Sequence, residues 1–185
     1  MAEVTFSLTD FEGLFVILPN IFSDNRGYFM ESYNEAEFSK FIDAKFVQDN
    51  ESSSKRGVLR GLHFQKKYPQ GKLVRVIQGS IYDVAVDLRR HSNTFGRSYG
   101  IELTSENKKQ LYIPEGFAHG FYVKSDLAIF AYKCTEYYHP EDEGGILWND
   151  ADIGIKWPID ESTDISLSNK DKNNPLLCEL GFSYC

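Results

Sequence analysis

A chain of 185 residues with 42% hydrophobic and 25% charged side chains suits a single domain with one sizeable core, and neither a disordered nor a membrane class is indicated. A formal net charge of −7 argues against a general nucleic-acid surface, while leaving room for a local cationic pocket that takes a phosphorylated small molecule. No apolar run approaches a membrane span, the start MAEVTFSLTD has no signal pattern, and Cys134, Cys178 and Cys185 lack disulfide-framework or zinc spacing, so the expected location is the cytoplasm.

Aromatic residues make up 15% of the chain, which suits β-structure. Leu14 to Leu18 reads as a short strand closed by Pro19-Asn20. Ser23 to Gly27 reads as a tight loop, and Tyr28 to Tyr33 as a strand with Glu31 inside it. Arg26 and Glu31 are candidates for ligand contact, with a loop arginine and a solvated glutamate as the plain alternative. Asn34 and Glu37 have capping-box spacing, and Phe38, Phe41 and Ile42 form one apolar stripe, so a short helix is expected over 35–43. The strand beginning at Phe46 runs into a polar end where Gln48 and Asn50 share a face.

The stretch GVLRGLHFQKKYPQGK, residues 57–72, places Arg60, His63 and Lys72 among apolar and turn-forming residues. A buried strand tolerates such groups only when they are partnered or line a site. Strict alternation would send Arg60 and His63 to opposite faces, but an isolated glycine such as Gly61 often marks a bulge, which would bring both to one face; the alternative is a hydrogen-bonded core histidine with Arg60 at the strand edge.

Lys72 opens the strand LVRVI, and IYDVAVDL follows with Asp83 and Asp87 on one face, suited to pairing with Arg75 or Arg89. PEGFAHGF, residues 114–121, puts His119 after a proline-glycine turn, at the mouth of the strand starting at Phe121. In AIFAYKCT the side chains of Phe130, Tyr132 and Cys134 share a face. Short strands between glycine, proline and asparagine turns over residues 14–135 point to a mainly β sandwich or barrel of jelly-roll type, followed by a loop-rich tail over 136–185.

Two segments, around His63 and at PEGFAH, resemble the halves of the cupin motif. Metal-binding cupins add a histidine two residues after the first, where this chain has Gln65, and the remaining histidines, His91 and His139, lie in polar loops. Two histidines are too few for a secure metal shell, so a metal-free site is expected. His63, His119, Lys72, Arg60 and Tyr132 around one cavity would suit proton abstraction beside a carbonyl: a neutral histidine as base, cations on the enolate oxygen, and a tyrosine protonating the opposite face.

DNRGYFMESYNE, FVQDNES, GVLRGLHFQ, QGKLVRVIQGSIYDVAVDLRRHSNTFG, IPEGFAHGF, YKCTEYYHPEDEGGILWND and LSNKD together closely resemble the dTDP-4-dehydrorhamnose 3,5-epimerase family, in chain order from about Gly13 to Asp171. The resemblance implies a cupin-type jelly roll, a homodimer, and neither metal nor organic cofactor. It implies that His63 is the base, Asp171 orients it, Tyr132 donates the proton, and Lys72 stabilises the enolate with help from Arg60 and His119. Arg26, Glu31, Gln48, Asn50, Arg60, Glu143 and Lys170 match positions that hold the nucleotide sugar, and Tyr138 matches the residue that stacks on thymine. The tail thus contributes to the site, and the implied substrate is a dTDP-4-ketosugar. A mono-epimerase of C3 or C5 alone, a metal-dependent cupin and a catalytically silent nucleotide-sugar binder are the alternatives.

Overall fold

The computed structural model describes residues 4–160 and 162–181. Its strands are β1 Thr5–Leu8, β2 Phe15–Leu18, β3 Ile21–Asp24, β4 Gly27–Met30, β5 Gln48–Lys55, β6 Leu59–Gln65, β7 Lys72–Gln78, β8 Ser80–Asp87, β9 Ser98–Thr104, β10 Gln110–Ile113, β11 Phe117–Val123, β12 Leu127–Cys134 and β13 Glu143–Gly145. They form a six-stranded sheet ordered β1-β2-β10-β7-β12-β5, a five-stranded sheet ordered β13-β6-β11-β8-β9, and a separate β3-β4 hairpin. Neighbours in the sheets are antiparallel and mostly far apart in sequence, which is the crossover pattern of a cupin-type jelly roll.

Alternation along the strands decides which side chains meet. Val74, Val76, Leu111 and Phe130 from the six-stranded sheet pack against Ile81, Ala85, Phe121 and Val123 from the other, making the core between the sheets. The opposite face of the five-stranded sheet is also apolar, with Leu62, Phe64, Val84, Val86 and Ala118, and the tail covers it with Ile146, Ile153 and Leu177. Burial on both faces explains why β8 and β11 read as nearly continuous apolar runs. The tail is therefore held beside β6, where its polar residues can reach the site.

The helix expected over 35–43 is regular only over Glu35–Phe38, here α1, and continues as a turn closed by the Phe41 and Ile42 amides on the Phe38 carbonyl. Asn34 caps it by accepting from the Ala36 amide, but Glu37 pairs with Lys40 at 2.7 Å and the capping box does not form. Phe38 and Ile42 dock on Ile17, Leu73 and Tyr112, on the outer side of the six-stranded sheet. A second short helix, α2, spans Asn169–Lys172. Among the described residues no helix is long and apolar enough to cross a membrane.

Candidate active site

The β6 strand carries the central histidine, and its bulge is real. Against β11, His63 faces His119 while Arg60 faces Phe121, so three steps along β6 match two along β11. The extra residue lies at Gly61-Leu62. Gly61 has φ +106, and a Cβ there would lie 2.6 Å from the His119 carbonyl oxygen, so only glycine fits this approach. His63 lines the cavity, whereas Arg60 is exposed and does not line it, although its charge acts on the Tyr132 phenol of the wall.

Tail residues complete the histidine's surroundings. β13 pairs with β6, placing Gly145 opposite His63 and Glu143 opposite Gln65. Ser168 caps α2 through the Asp171 amide, and its hydroxyl donates to Asp171 Oδ2 at 2.8 Å. The other carboxylate oxygen, Oδ1, lies 2.6 Å from His63 Nε2. Burial raises the Asp171 carboxyl's pKa, but the His63 and Ser168 hydrogen bonds outweigh it and hold the group below its ordinary range. An ionised Asp171 keeps the ring proton on Nε2 and leaves the Nδ1 lone pair free, which is the state a base needs. Glu143 Oε1 lies 3.9 Å from Nδ1, while its Oε2 accepts from Tyr138 Oη at 2.8 Å and pairs with Lys170. Desolvation opposes ionisation of Glu143, and the Lys170 and Tyr138 contacts overcome it.

The facing wall comes from the six-stranded sheet. Cys134 of β12 lies between Lys72 of β7 and Gln48 of β5, and Tyr132 lies opposite Asn50. Cross-strand partners share a face, so this register alone gathers a cation, a phenol and two amides. With His63, Tyr138 and Glu143 they line a cavity of about 280 Å³. Burial pushes the Tyr132 hydroxyl above its ordinary pKa, which keeps it protonated as a donor. Burial pushes the Lys72 ammonium below its ordinary range, against the partial support of Cys134, Glu143 and Asp83. Gln48 Nε2 donates to Asn50 Oδ1 at 3.0 Å, and Asn50 Nδ2 donates to Cys134 Sγ at 3.5 Å.

Not every candidate is gathered here. Arg26 stands at the tip of the β3-β4 hairpin with an 85% exposed side chain, paired with Asp24 at 2.6 Å. Glu31 is not interior to a strand, because β4 ends at Met30, and it is exposed beside Asn34. Neither lines the cavity that holds His63. His119 is not at a strand mouth: β11 starts at Phe117, so the ring is buried in mid-strand, with Nε2 2.9 Å from Asp83 Oδ2. Asp83 thus takes a histidine rather than an arginine, while Asp87 does pair with Arg89 at 2.8 Å.

The sequence reading missed Gln65 and Gln70 as lining residues, Asp83 as the His119 partner, and Ser168. Period-two spacing carried a signal for Gln65, which follows His63 on the same face. Among the described residues no group of three or more His, Cys, Asp or Glu side chains is placed to hold a metal ion. A wider recess of about 380 Å³ lies on the outside of the six-stranded sheet, with Lys133 bonded to Asp49 at 2.9 Å, but it has no histidine.

Known proteins are similar to this chain along nearly its whole length. The family model described as dTDP-4-dehydrorhamnose 3,5-epimerase matches residues 8–179. The dTDP-4-dehydrorhamnose 3,5-epimerase of Methanothermobacter thermautotrophicus is 56% identical over 174 residues, 94% of each chain. A crystal structure of dTDP-6-deoxy-D-glucose-3,5-epimerase from Legionella pneumophila, in complex with dTDP-4-keto-L-rhamnose, is 48% identical with a TM-score of 0.91, covering 94% of this chain and 93% of that one. A 3'-monoepimerase from Streptomyces bikiniensis in complex with dTDP-quinovose is 32% identical with a TM-score of 0.87, covering 94% and 90%. With a cavity that pairs a carboxylate-held imidazole with a lysine and a phenol, and with these similarities end to end, the chain belongs to the dTDP-4-dehydrorhamnose 3,5-epimerase family.

Proposed function

We propose that the chain epimerises dTDP-4-dehydro-6-deoxy-D-glucose at C3 and C5, giving dTDP-4-dehydro-L-rhamnose, by proton transfer between side chains alone. His63, held by Asp171 at 2.6 Å on the cavity that Tyr132 also lines, is the observation that carries this reading. A hydrogen on a carbon beside the 4-keto group is acidic once its electron pair can move onto the ketone oxygen. His63 Nδ1 takes the proton, the C–H bond breaks, and the pair becomes an enolate. Lys72, which lines the cavity, stabilises that oxygen, and the Arg60 charge beside the Tyr132 phenol adds to the positive field. Tyr132 then gives its hydroxyl proton to the opposite face of the same carbon, inverting it, and recovers a proton from solvent while His63 releases its own. The sequence repeats at the second carbon.

The nucleotide lies along the rim. Tyr138, 51% exposed at the mouth of the cavity, stacks on thymine, and Gln48, Asn50, Glu143 and Lys170 hold the diphosphate and sugar. Arg26 and Glu31 fit this role only if the exposed hairpin, with Phe22, Tyr28 and Phe29 at 54%, 54% and 65% exposure, reaches the cavity of a second copy. The reading is therefore of a single-domain cytoplasmic protein working as a homodimer, with the tail over 136–185 completing the site.

Purified protein and dTDP-4-dehydro-6-deoxy-D-glucose, followed by proton NMR, test the assignment: inversion at both C3 and C5 supports it. Inversion at one carbon selects a mono-epimerase, whose fold at 32% identity is nearly the same. Unchanged substrate overturns the reading.

A further inference from the structure

Gln65 occupies the place two residues after His63 and is only 7% exposed, yet the mechanism leaves it without a task. Its amide is fully engaged. Nε2 donates to the Tyr68 carbonyl at 2.6 Å and to the Tyr137 carbonyl at 3.2 Å, and Oε1 accepts the His139 amide at 2.8 Å. The last two groups belong to the two peptide units that flank Tyr138, so one side chain grips the backbone on both sides of that residue. The Tyr138 amide itself goes to Gln48 Oε1 at 3.0 Å. The loop at Tyr68 is fixed in turn, because Asp142 Oδ2 accepts the Lys67 and Tyr68 amides at 2.7 and 2.9 Å, and the Tyr68 ring stacks on His139 with centroids 4.2 Å apart.

We infer that Gln65 is a positioning residue for nucleotide recognition: it clamps the peptide units around Tyr138 and so sets where that ring stands over the mouth of the cavity. The inference rests on the reading that Tyr138 meets the base of the nucleotide. A buried amide with both donors and its acceptor used has little freedom, and β6, which also carries His63, gives it a rigid origin. The clamp therefore ties the base-binding rim to the strand of the general base, fixing the distance between nucleotide and reacting sugar. Its loss weakens binding of ground state and transition state alike, which raises KM and spares kcat.

The test uses the full chain with Gln65→Met, which fills the volume without the hydrogen bonds, alone and combined with Tyr138→Ala. The expected result is a rise of about tenfold in KM for dTDP-4-dehydro-6-deoxy-D-glucose and in the inhibition constant of dTDP, with kcat within about twofold. In the Tyr138→Ala background the same replacement changes KM by less than about twofold, because the ring it positions is gone. An equal rise in both backgrounds, or a fall in kcat at constant KM, overturns the inference. Hydrogen exchange at the His139 amide reads the clamp separately: it accelerates in Gln65→Met, and unchanged exchange removes the clamp. Accelerated exchange with a normal KM in Tyr138→Ala alone leaves the clamp standing, removes Tyr138 from base recognition, and so overturns the assigned role. Gln65→Asn, one methylene too short to span both peptide units, shifts KM in the same direction and serves if the methionine variant fails to fold.

Discussion

Asp171→Asn isolates the orientation of the base from the presence of the base. In the native protein His63 Nε2 sits 2.6 Å from Asp171 Oδ1, and the carboxylate, 3% exposed, also accepts the Ser168 hydroxyl. A hydrogen bond of this kind to a charged group contributes about 1.5–3 kcal/mol. Its loss accounts for roughly ten- to 150-fold in rate if the full amount is missing in the transition state. A second effect adds to it. An asparagine amide pointed at Nε2 donates rather than accepts, moving the ring proton to Nδ1 and blocking the lone pair that should face the substrate. Together the two predict a fall in kcat of about 10²–10⁴-fold. KM should change little, because Asp171 does not line the cavity. Initial rates of epimerised product by NMR, with thermal melts to show that the variant is folded, decide the matter. A folded Asp171→Asn protein with kcat within about threefold of the native value would refute the assignment of Nδ1 as the base.

Tyr132→Phe should still exchange the carbon-bound proton through His63 but lose inversion, with epimerised product down by about a hundredfold or more and deuterium wash-in retained; NMR in deuterated buffer separates the two. Lys72→Met should lose about 10²–10³-fold in kcat with the enolate's cation, yet be more stable at neutral pH in urea titrations, because a buried charge without an ion-pair partner among the described residues is removed. The sign follows from burial, which lowers the lysine's pKa in the folded protein, so the native fold pays for the buried charge until pH rises through that value. Asp87, fully buried, is held down to about 2 from 3.8: burial opposes ionisation, and bonds from Arg89, Ser92 and Thr94 outweigh it. That pairing contributes about 2 kcal/mol of stability above pH 4, lost as pH falls toward 2; Asp87→Asn should be less stable by at least that amount at pH 7 and show a flatter dependence between pH 4 and 2.

Much of the site was legible because β-structure writes its geometry locally. The Gly61 bulge follows from an isolated glycine inside a strand, and the shared faces of Tyr132 with Cys134 and of Gln48 with Asn50 follow from a two-residue period read along a single strand. What joins those strands is not local. Asp171 lies 108 residues from His63, and nothing near either one announces the other; only the resemblance to a family linked them before the fold did. His119 shows how turn chemistry misleads, since the strand begins at Phe117, directly after the Pro114 to Gly116 turn, and carries the ring into the interior. Asp83 was assigned to an arginine because its face was clear while its cross-strand neighbour was not. Arg26 and Glu31 were candidates for ligand contact on local grounds and were assigned to the nucleotide sugar through the resemblance, and one chain leaves them on an exposed hairpin and beyond its last strand residue.

The most direct measurement is deuterium wash-in during turnover. Incubated in deuterated buffer with dTDP-4-dehydro-6-deoxy-D-glucose, the native protein should introduce deuterium at C3 and at C5, and His63→Ala should introduce essentially none at either carbon. Native protein that inverts the sugar without taking up solvent deuterium, or a His63→Ala variant that exchanges at the native rate, would contradict proton abstraction by this histidine.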